Sequence, residues 1–267
     1  MTQEQDLSSK IGALWLRELE IDALWVQRET LASYLSTTPS NMSDSPKADN
    51  NLTPVSIQTV PSAPSPSLFE TEPCPTQSWD ELSKQINACQ KCGLHAQRKN
   101  AVVGHGDQQA KILIVGEAPG AEEDEKGLPF VGQSGQLLDQ ILAAIQLSRQ
   151  NGIYIANVIK CRPPENRTPV KDEIRACQHY LEQQIALIRP TLIIALGKTA
   201  GEYLLGEPIK SMANIRGKIS QYFNTPLIVT YHPSYLLRSS GEKLKAWEDF
   251  IFIKHQLIKL TNAQSIK

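Results

Sequence analysis

No apolar run in this 267-residue chain approaches the ~20 residues that span a bilayer, and no signal-peptide core opens it. A cytoplasmic location is therefore expected. Neither a P-loop nor a G-x-G-x-x-G fingerprint occurs, which argues against a zinc-stabilised nucleotide-binding module. No internal repeat is evident. Cysteine is scarce, with five residues in all, and its placement suits a reducing compartment better than a disulfide framework. A large excess of one charge is also missing, since the formal net charge is −1.

That small net charge conceals an uneven distribution. Residues 1–78 carry 4 Lys/Arg against 10 Asp/Glu, whereas residues 79–267 carry 23 against 18. An acidic leader thus precedes a basic body, which permits a local phosphate-facing patch without requiring one. Residues 36–78 read as a disordered linker. They hold eight prolines, many Ser, Thr and Asn, and a single aromatic, Phe69, too little apolar surface to offset the entropy of ordering. Before the linker, Leu7, Ile11, Leu14, Trp15 and Leu19 recur at helical spacing, so residues 1–35 are expected to hold a short helix.

Residues 79–262 alternate strand-like and helix-like segments. Apolar runs at Lys111–Val115, Ile153–Val158, Thr191–Ala195 and Leu227–Thr230 read as strands. Helical patterns follow at Gly135–Leu147, Val170–Ile188, Lys198–Leu205 and Gly241–Leu260. Strands apolar on both faces, alternating with helices, imply an α/β fold: a three-layer α/β/α sandwich around a mostly parallel four-stranded sheet.

Four cysteines form a pattern within this domain. Cys89 and Cys92 make a C-x2-C pair, Cys161 follows after 68 residues, and Cys177 after a further 15. Two thiolates on a tight turn and two from a distant loop and helix can close a tetrahedral site for an iron–sulfur cluster or zinc. Disulfides or inert buried thiols are the alternatives. Cys74 lies outside the pattern and reads as a free thiol.

The Gly-, Pro- and polar-rich segments cluster after the strands, where open α/β sheets bind ligands. Gly116-Glu-Ala-Pro-Gly120 follows the first strand, Asn157 ends the second, Gly197 follows the third, and Tyr231-His-Pro-Ser-Tyr235 follows the fourth. From Cys89 to about Arg238 the chain resembles the family 4 uracil-DNA glycosylases, the iron–sulfur branch of their superfamily. The resemblance rests on the cysteine spacing, on Gly116–Gly120 continuing through Glu123-Asp124 to Gly127-Leu-Pro-Phe-Val-Gly132, on Tyr154–Asn157 leading to Lys160-Cys-Arg-Pro-Pro164, and on His232-Pro-Ser-Tyr-Leu-Leu-Arg238.

This resemblance implies an enzyme that flips uracil out of single- or double-stranded DNA and hydrolyses its N-glycosidic bond. It points to a 4Fe-4S cluster on Cys89, Cys92, Cys161 and Cys177, acting as a clip with no required redox step. Phe130 matches the ring that stacks on the flipped base, beside Ala118 in the same loop region. Asn157 matches the amide that accepts from uracil N3–H and donates to O4, a pattern cytosine reverses. His232 matches the donor to uracil O2, where charge grows as the bond breaks. Glu117 is expected to orient water and stabilise the sugar cation. Glu123 either guards the C5 edge of the base or braces the loop. Leu236 and Leu237 are expected to wedge into the base stack while Arg238 holds a phosphate, with Arg162, Asn166 and Arg167 as further DNA contacts.

Gly120 to Pro129 lacks the basic, His-bearing insertion of relatives that trap the sugar covalently, so ordinary hydrolytic turnover by a monomer is expected. An iron–sulfur DNA-binding or redox-sensing protein would keep the cysteines but needs neither Asn157 nor His232. At the N-terminus, Leu19–Arg28 looks like the short peptide by which the bacterial clamp-loader psi subunit docks on chi. Glu20 replaces the usual Gly, and an extra residue separates Ile21 from Trp25. The segment is either a docking peptide for a replication or repair partner or an amphipathic helix that folds back on the domain.

Overall fold

Ser78, at the end of the expected linker, accepts from the backbone N–H of Glu81, and the Glu81 carboxylate accepts from the Ser78 N–H. This reciprocal cap opens helix α1 (Trp79–Ala88) and satisfies two otherwise orphaned donors. The structure, a computed structural model, describes residues 78–264. The expected docking segment and the rest of the linker, with Cys74, lie outside the described residues.

After α1 come β1 (His105–Gly106), β2 (Ile112–Gly116), α2 (Ala121–Lys126), α3 (Gln133–Ala144) and β3 (Ile153–Asn157). The chain continues through α4 (Lys171–Ile188), β4 (Leu192–Leu196), α5 (Lys198–Leu205) and α6 (Met212–Ile215). It ends with β5 (Ile219–Tyr222), β6 (Thr225–Thr230), α7 (Pro233–Arg238) and α8 (Lys243–Gln264). The sheet order is β1-β3-β2-β4-β6-β5. The inner four strands are parallel, as the apolar runs predict.

Two short antiparallel edge strands extend the expected four-stranded sheet to six. Neither is legible as a buried run. β1 has two residues, and β5 alternates exposed with half-buried positions, as a strand with one wet face does. By contrast β2, β3 and β4 are buried at every position. Ile112 and Ile114 face one side of the sheet, with Leu138 and Leu142 from α3, Ile145 just after it, and Phe250 from α8. Leu113 and Val115 face the other, with Leu82 of α1, Tyr180 and Leu181 of α4, and Leu204 of α5. Each such fully buried Leu or Ile contributes about 1.5–3 kcal/mol of burial. Three layers result, and the register leaves the carboxyl ends of the four parallel strands side by side.

The strand order also fixes where a ligand can sit. From β2 the chain first adds β3 on one side and then β4 on the other. The loops leaving β2 and β4 therefore diverge toward opposite faces, which opens a crevice at that end of the sheet. Among the described residues no helix is long and apolar enough to cross a membrane.

Candidate active site

Gly116 and Asn157 end neighbouring strands and are paired in register. A Cβ at Gly116 would collide with Asn157 Oδ1 and fall 2.7 Å from Phe130 Cζ. Only glycine lets the Phe130 ring and the Asn157 amide approach the same point. Phe130 is buried, and its ring centroid lies 5.6 Å from that of His232, tilted by 33°. The structure thus brings together Asn157 from the end of β3 with Phe130 and His232 from two separate loops.

Asn157 is 1% exposed, yet neither its side-chain Oδ1 nor its Nδ2 has a partner among the described residues. A buried amide without partners costs about 1–3 kcal/mol. Such a group at a strand's carboxyl end is poised for a ligand with one donor and one acceptor. The Asn157 backbone is held firmly, since its carbonyl accepts from Lys160 Nζ over 2.8 Å. Lys160 is itself buried and also donates to Gln184, whose amide donates to the Val103 carbonyl. Burial pulls the Lys160 pKa down to about 8.

His232 precedes α7 and caps it, its Nδ1 accepting from the Ser234 N–H over 3.1 Å. Burial, aided by the charge of Arg238 and opposed by Glu123, lowers its pKa to about 4. The ring is therefore neutral near pH 7. Behind it, Gly197 adopts φ 89, and a Cβ there would lie 3.0 Å from His232 Cβ. The strand leading to His232 is anchored by Thr230, which donates to buried Asp249 over 2.7 Å. Asp249 pairs in turn with Arg216.

Glu117 is half-buried at the end of β2, and its carboxylate has no hydrogen-bond or ion-pair partner among the described residues. Glu123 is saturated. It accepts from Gly120 N–H at 3.0 Å, Val131 N–H at 2.9 Å and Gly132 N–H at 3.1 Å, the geometry of a loop brace. Ala118 packs against the α4 side of the core.

The four patterned cysteines are free thiols from the end of α1, the following turn, the β3–α4 loop and α4. Cys161 interacts electrostatically with Cys92 and Cys89, and Cys177 with Cys161 and Cys89. Arg98 donates to Cys161 Sγ over 2.9 Å and the Lys160 N–H to Cys177 Sγ over 3.3 Å. Among the described residues no three His, Cys, Asp or Glu side chains are placed to hold a single metal ion. The corners of a multi-iron cluster ask for a wider spacing of the same donors.

The residues expected to contact DNA divide into exposed and committed ones. Leu237 is 44% exposed and Arg238 is exposed on the last turn of α7. Leu236 corrects an expectation: it is 1% exposed and packs in the α3–α8 core, so it cannot wedge into a base stack. The segment is a helix rather than a loop tip, so successive side chains point about 100° apart, and Leu236 turns inward while Leu237 turns out. Arg162 donates to Asn166 within its loop. Arg167 forms a two-pronged pair with Glu173, at 2.9 and 2.6 Å, and is committed to the start of α4.

Several supporting residues escaped the sequence reading: Arg149, Lys160, Gln184, Arg216 and Asp249. Only Lys160, beside Cys161 and three residues after Asn157, stood within a motif that drew attention to it.

The family model of the uracil DNA glycosylase superfamily matches residues 103–251. A type-4 uracil-DNA glycosylase of Thermotoga maritima is 44% identical over 165 residues, covering 61% of this chain and 85% of that protein. A type-4 uracil-DNA glycosylase of Pyrobaculum aerophilum is 45% identical over 165 residues, 59% of this chain and 84% of its own length. A type-5 uracil-DNA glycosylase of Thermus thermophilus is more distant, 36% identical over 118 residues that cover 39% of this chain and 53% of its own. These matches show that the chain belongs to the uracil DNA glycosylase superfamily, in its type-4 branch.

Proposed function

We propose that this protein excises uracil from DNA by hydrolysis, leaving an abasic site. The observation that carries the reading is the buried Asn157 amide with both polar atoms unpartnered. Uracil offers it N3–H and O4, and the same amide in the same orientation meets cytosine with a donor facing a donor. Phe130 supplies the flat face on which the flipped ring stacks.

Chemistry follows from the neighbours. As the bond between C1′ and uracil N1 breaks, its electron pair stays with the base and charge spreads to O2. Neutral His232 holds its Nδ1 as an acceptor toward Ser234, so its remaining proton is on Nε2 and is free to donate to that oxygen. The half-buried Glu117 carboxylate stabilises the positive sugar and orients the water that adds to C1′, the water's proton passing to the carboxylate or solvent. Glu123 braces the loop that carries Phe130.

Cys89, Cys92, Cys161 and Cys177 would hold a 4Fe-4S cluster, their all-thiol donor set and spacing fitting a cluster better than one ion. When bound, it would supply a rigid link between α1, the β3–α4 loop and α4. DNA contacts are assigned to Leu237, Arg238, Arg162 and Asn166. A monomeric enzyme is assigned. A cytoplasmic enzyme fits the thiol ligands, and residues 1–35 are assigned to docking on a replication or repair partner.

The test is excision from uracil-containing oligonucleotides, beside matched thymine- and hypoxanthine-containing ones. Release of uracil but not thymine is expected. No release from any oligonucleotide by iron-loaded protein would overturn the reading.

A further inference from the structure

Phe130 sits at φ 53, a left-handed conformation that a bulky aromatic holds only when its surroundings impose it. Three contacts surround it. Glu123 takes the N–H groups of the next two residues, Val131 and Gly132. Gly135, in the first turn of α3, passes so close to the Phe130 carbonyl that any Cβ would collide with it. The third contact comes from a turn between α3 and β3. There Arg149 donates from Nη2 to the Phe130 carbonyl over 2.9 Å and from Nη1 to the Pro129 carbonyl over 3.1 Å. Its Nε donates to Asp139 over 2.7 Å.

We propose that Arg149 is the positioning residue of the base-stacking ring, its guanidinium fork locking Pro129 and Phe130 so that the ring faces Gly116, Asn157 and His232. The inference rests on the uracil-stacking reading of Phe130. Two features make the fork hard to replace. An open surface cavity of about 360 Å³, bordered by Phe130, Leu128, His105 and Arg149, lies beside the loop. On that side of the loop the fork is the polar contact that fixes the Pro129 and Phe130 carbonyls, complementing the Glu123 brace on Val131 and Gly132. Moreover, the Arg149 side chain is 11% exposed and uses all three nitrogens at once, a planar arrangement that a lysine ammonium cannot reproduce. Arg149 touches no substrate; it acts through the ring.

A double-mutant cycle on single-turnover uracil excision tests this. Arg149→Gln should slow excision on the order of 10- to 100-fold, the scale of a misplacement of about 1 Å. Arg149→Lys should recover little of it, and Asp139→Asn, which leaves both carbonyl contacts in place, should slow excision less. The combined Arg149→Gln, Phe130→Ala variant should be no slower than Phe130→Ala alone, because the fork acts only through that ring. A general structural role would instead give losses that add, and additive losses overturn the proposal. Should Arg149→Gln fail to fold, Arg149→Lys combined with Phe130→Ala runs the same cycle. Wild-type rates in Phe130→Ala would overturn the stacking reading and this inference together. A slow Phe130→Ala beside an unimpaired Arg149→Gln would overturn this inference alone.

Discussion

The Ser234 backbone N–H donates to His232 Nδ1 over 3.1 Å, and the Ser234 hydroxyl lies 2.7 Å from the same nitrogen. A backbone N–H can only donate, so Nδ1 accepts and the neutral ring carries its proton on Nε2. One bond therefore caps α7 and sets the tautomer that an oxyanion donor needs. The price is that protonating the ring would put a second donor against the Ser234 N–H.

The pH dependence follows. His232 titrates near 4 in the fold against an ordinary 6.5, because burial and Arg238 disfavour the cation more than Glu123 favours it. Between those values the unfolded chain binds more protons than the folded one. Stability from this group is thus full above about pH 6.5 and is lost as pH falls toward about 4. Single-turnover excision should stay flat from about pH 8 to about pH 5 and fall near pH 4. His232→Gln should flatten both the acid limb and the matching slope of Tm with pH. An acid limb centred near pH 6.5 that vanishes in His232→Gln would contradict the assignment.

Asn157→Ala and His232→Ala should each slow uracil excision by about 10²-fold or more, if each supplies about 3 kcal/mol to the transition state. Affinity for an abasic oligonucleotide should change far less, since neither contact survives departure of the base. Near wild-type rates in both variants would mean that the pocket lies elsewhere.

Gly116→Ala is the sharpest steric probe. Its methyl group would press on Asn157 Oδ1 and on the Phe130 ring, and overpacking of this kind costs about 1–3 kcal/mol of stability. Excision should fall by about 100-fold or more with a lower Tm. Unchanged rate and unchanged Tm together would show that the pocket is wider at this point than the structure has it.

Much of this site was legible because chemistry-bearing residues stand out at strand ends. Asn157 interrupts a buried strand with a polar group, and His232 sits in a Pro-containing segment directly after one. The supporting residues were not legible, because their meaning lies in partners far along the chain. Arg149 reaches back 19 residues to Phe130, Lys160 forward 24 to Gln184, and Arg216 forward 33 to Asp249. No local pattern encodes such pairs. Leu236 failed for a different reason. With Pro233 at its start the segment reads as a loop, yet proline is well suited to the first turn of a helix, and α7 turns Leu236 inward.

The cysteines make a prediction separable from catalysis. Protein purified without oxygen should be brown, with roughly four irons and four sulfides per chain. Cys161→Ser should lose the colour, and Cys74→Ser should keep it. Because Arg98 donates to Cys161 Sγ, Arg98→Ala should make the colour bleach faster in air, as loss of a hydrogen bond to a ligand sulfur exposes it. Colourless protein carrying one zinc would refute the cluster while leaving the pocket untouched.

The N-terminal residues 1–77 can be tested by removal. None of the pocket residues, and none of the four patterned cysteines, lies before Cys89. A chain beginning at Ser78, which keeps the Ser78–Glu81 cap of α1, should therefore excise uracil from naked oligonucleotides at nearly the full rate. What it should lose is recruitment. On the docking proposal, a Trp25-bearing peptide tethered through some 40 Pro-, Ser- and Thr-rich residues would raise local concentration without fixing orientation. Trp25→Ala in the full chain should abolish co-purification of the partner as completely as the deletion, since one buried aromatic commonly dominates such contacts. If the truncated domain instead loses activity or solubility, residues 1–35 pack on the domain, and the fold-back alternative replaces the docking peptide.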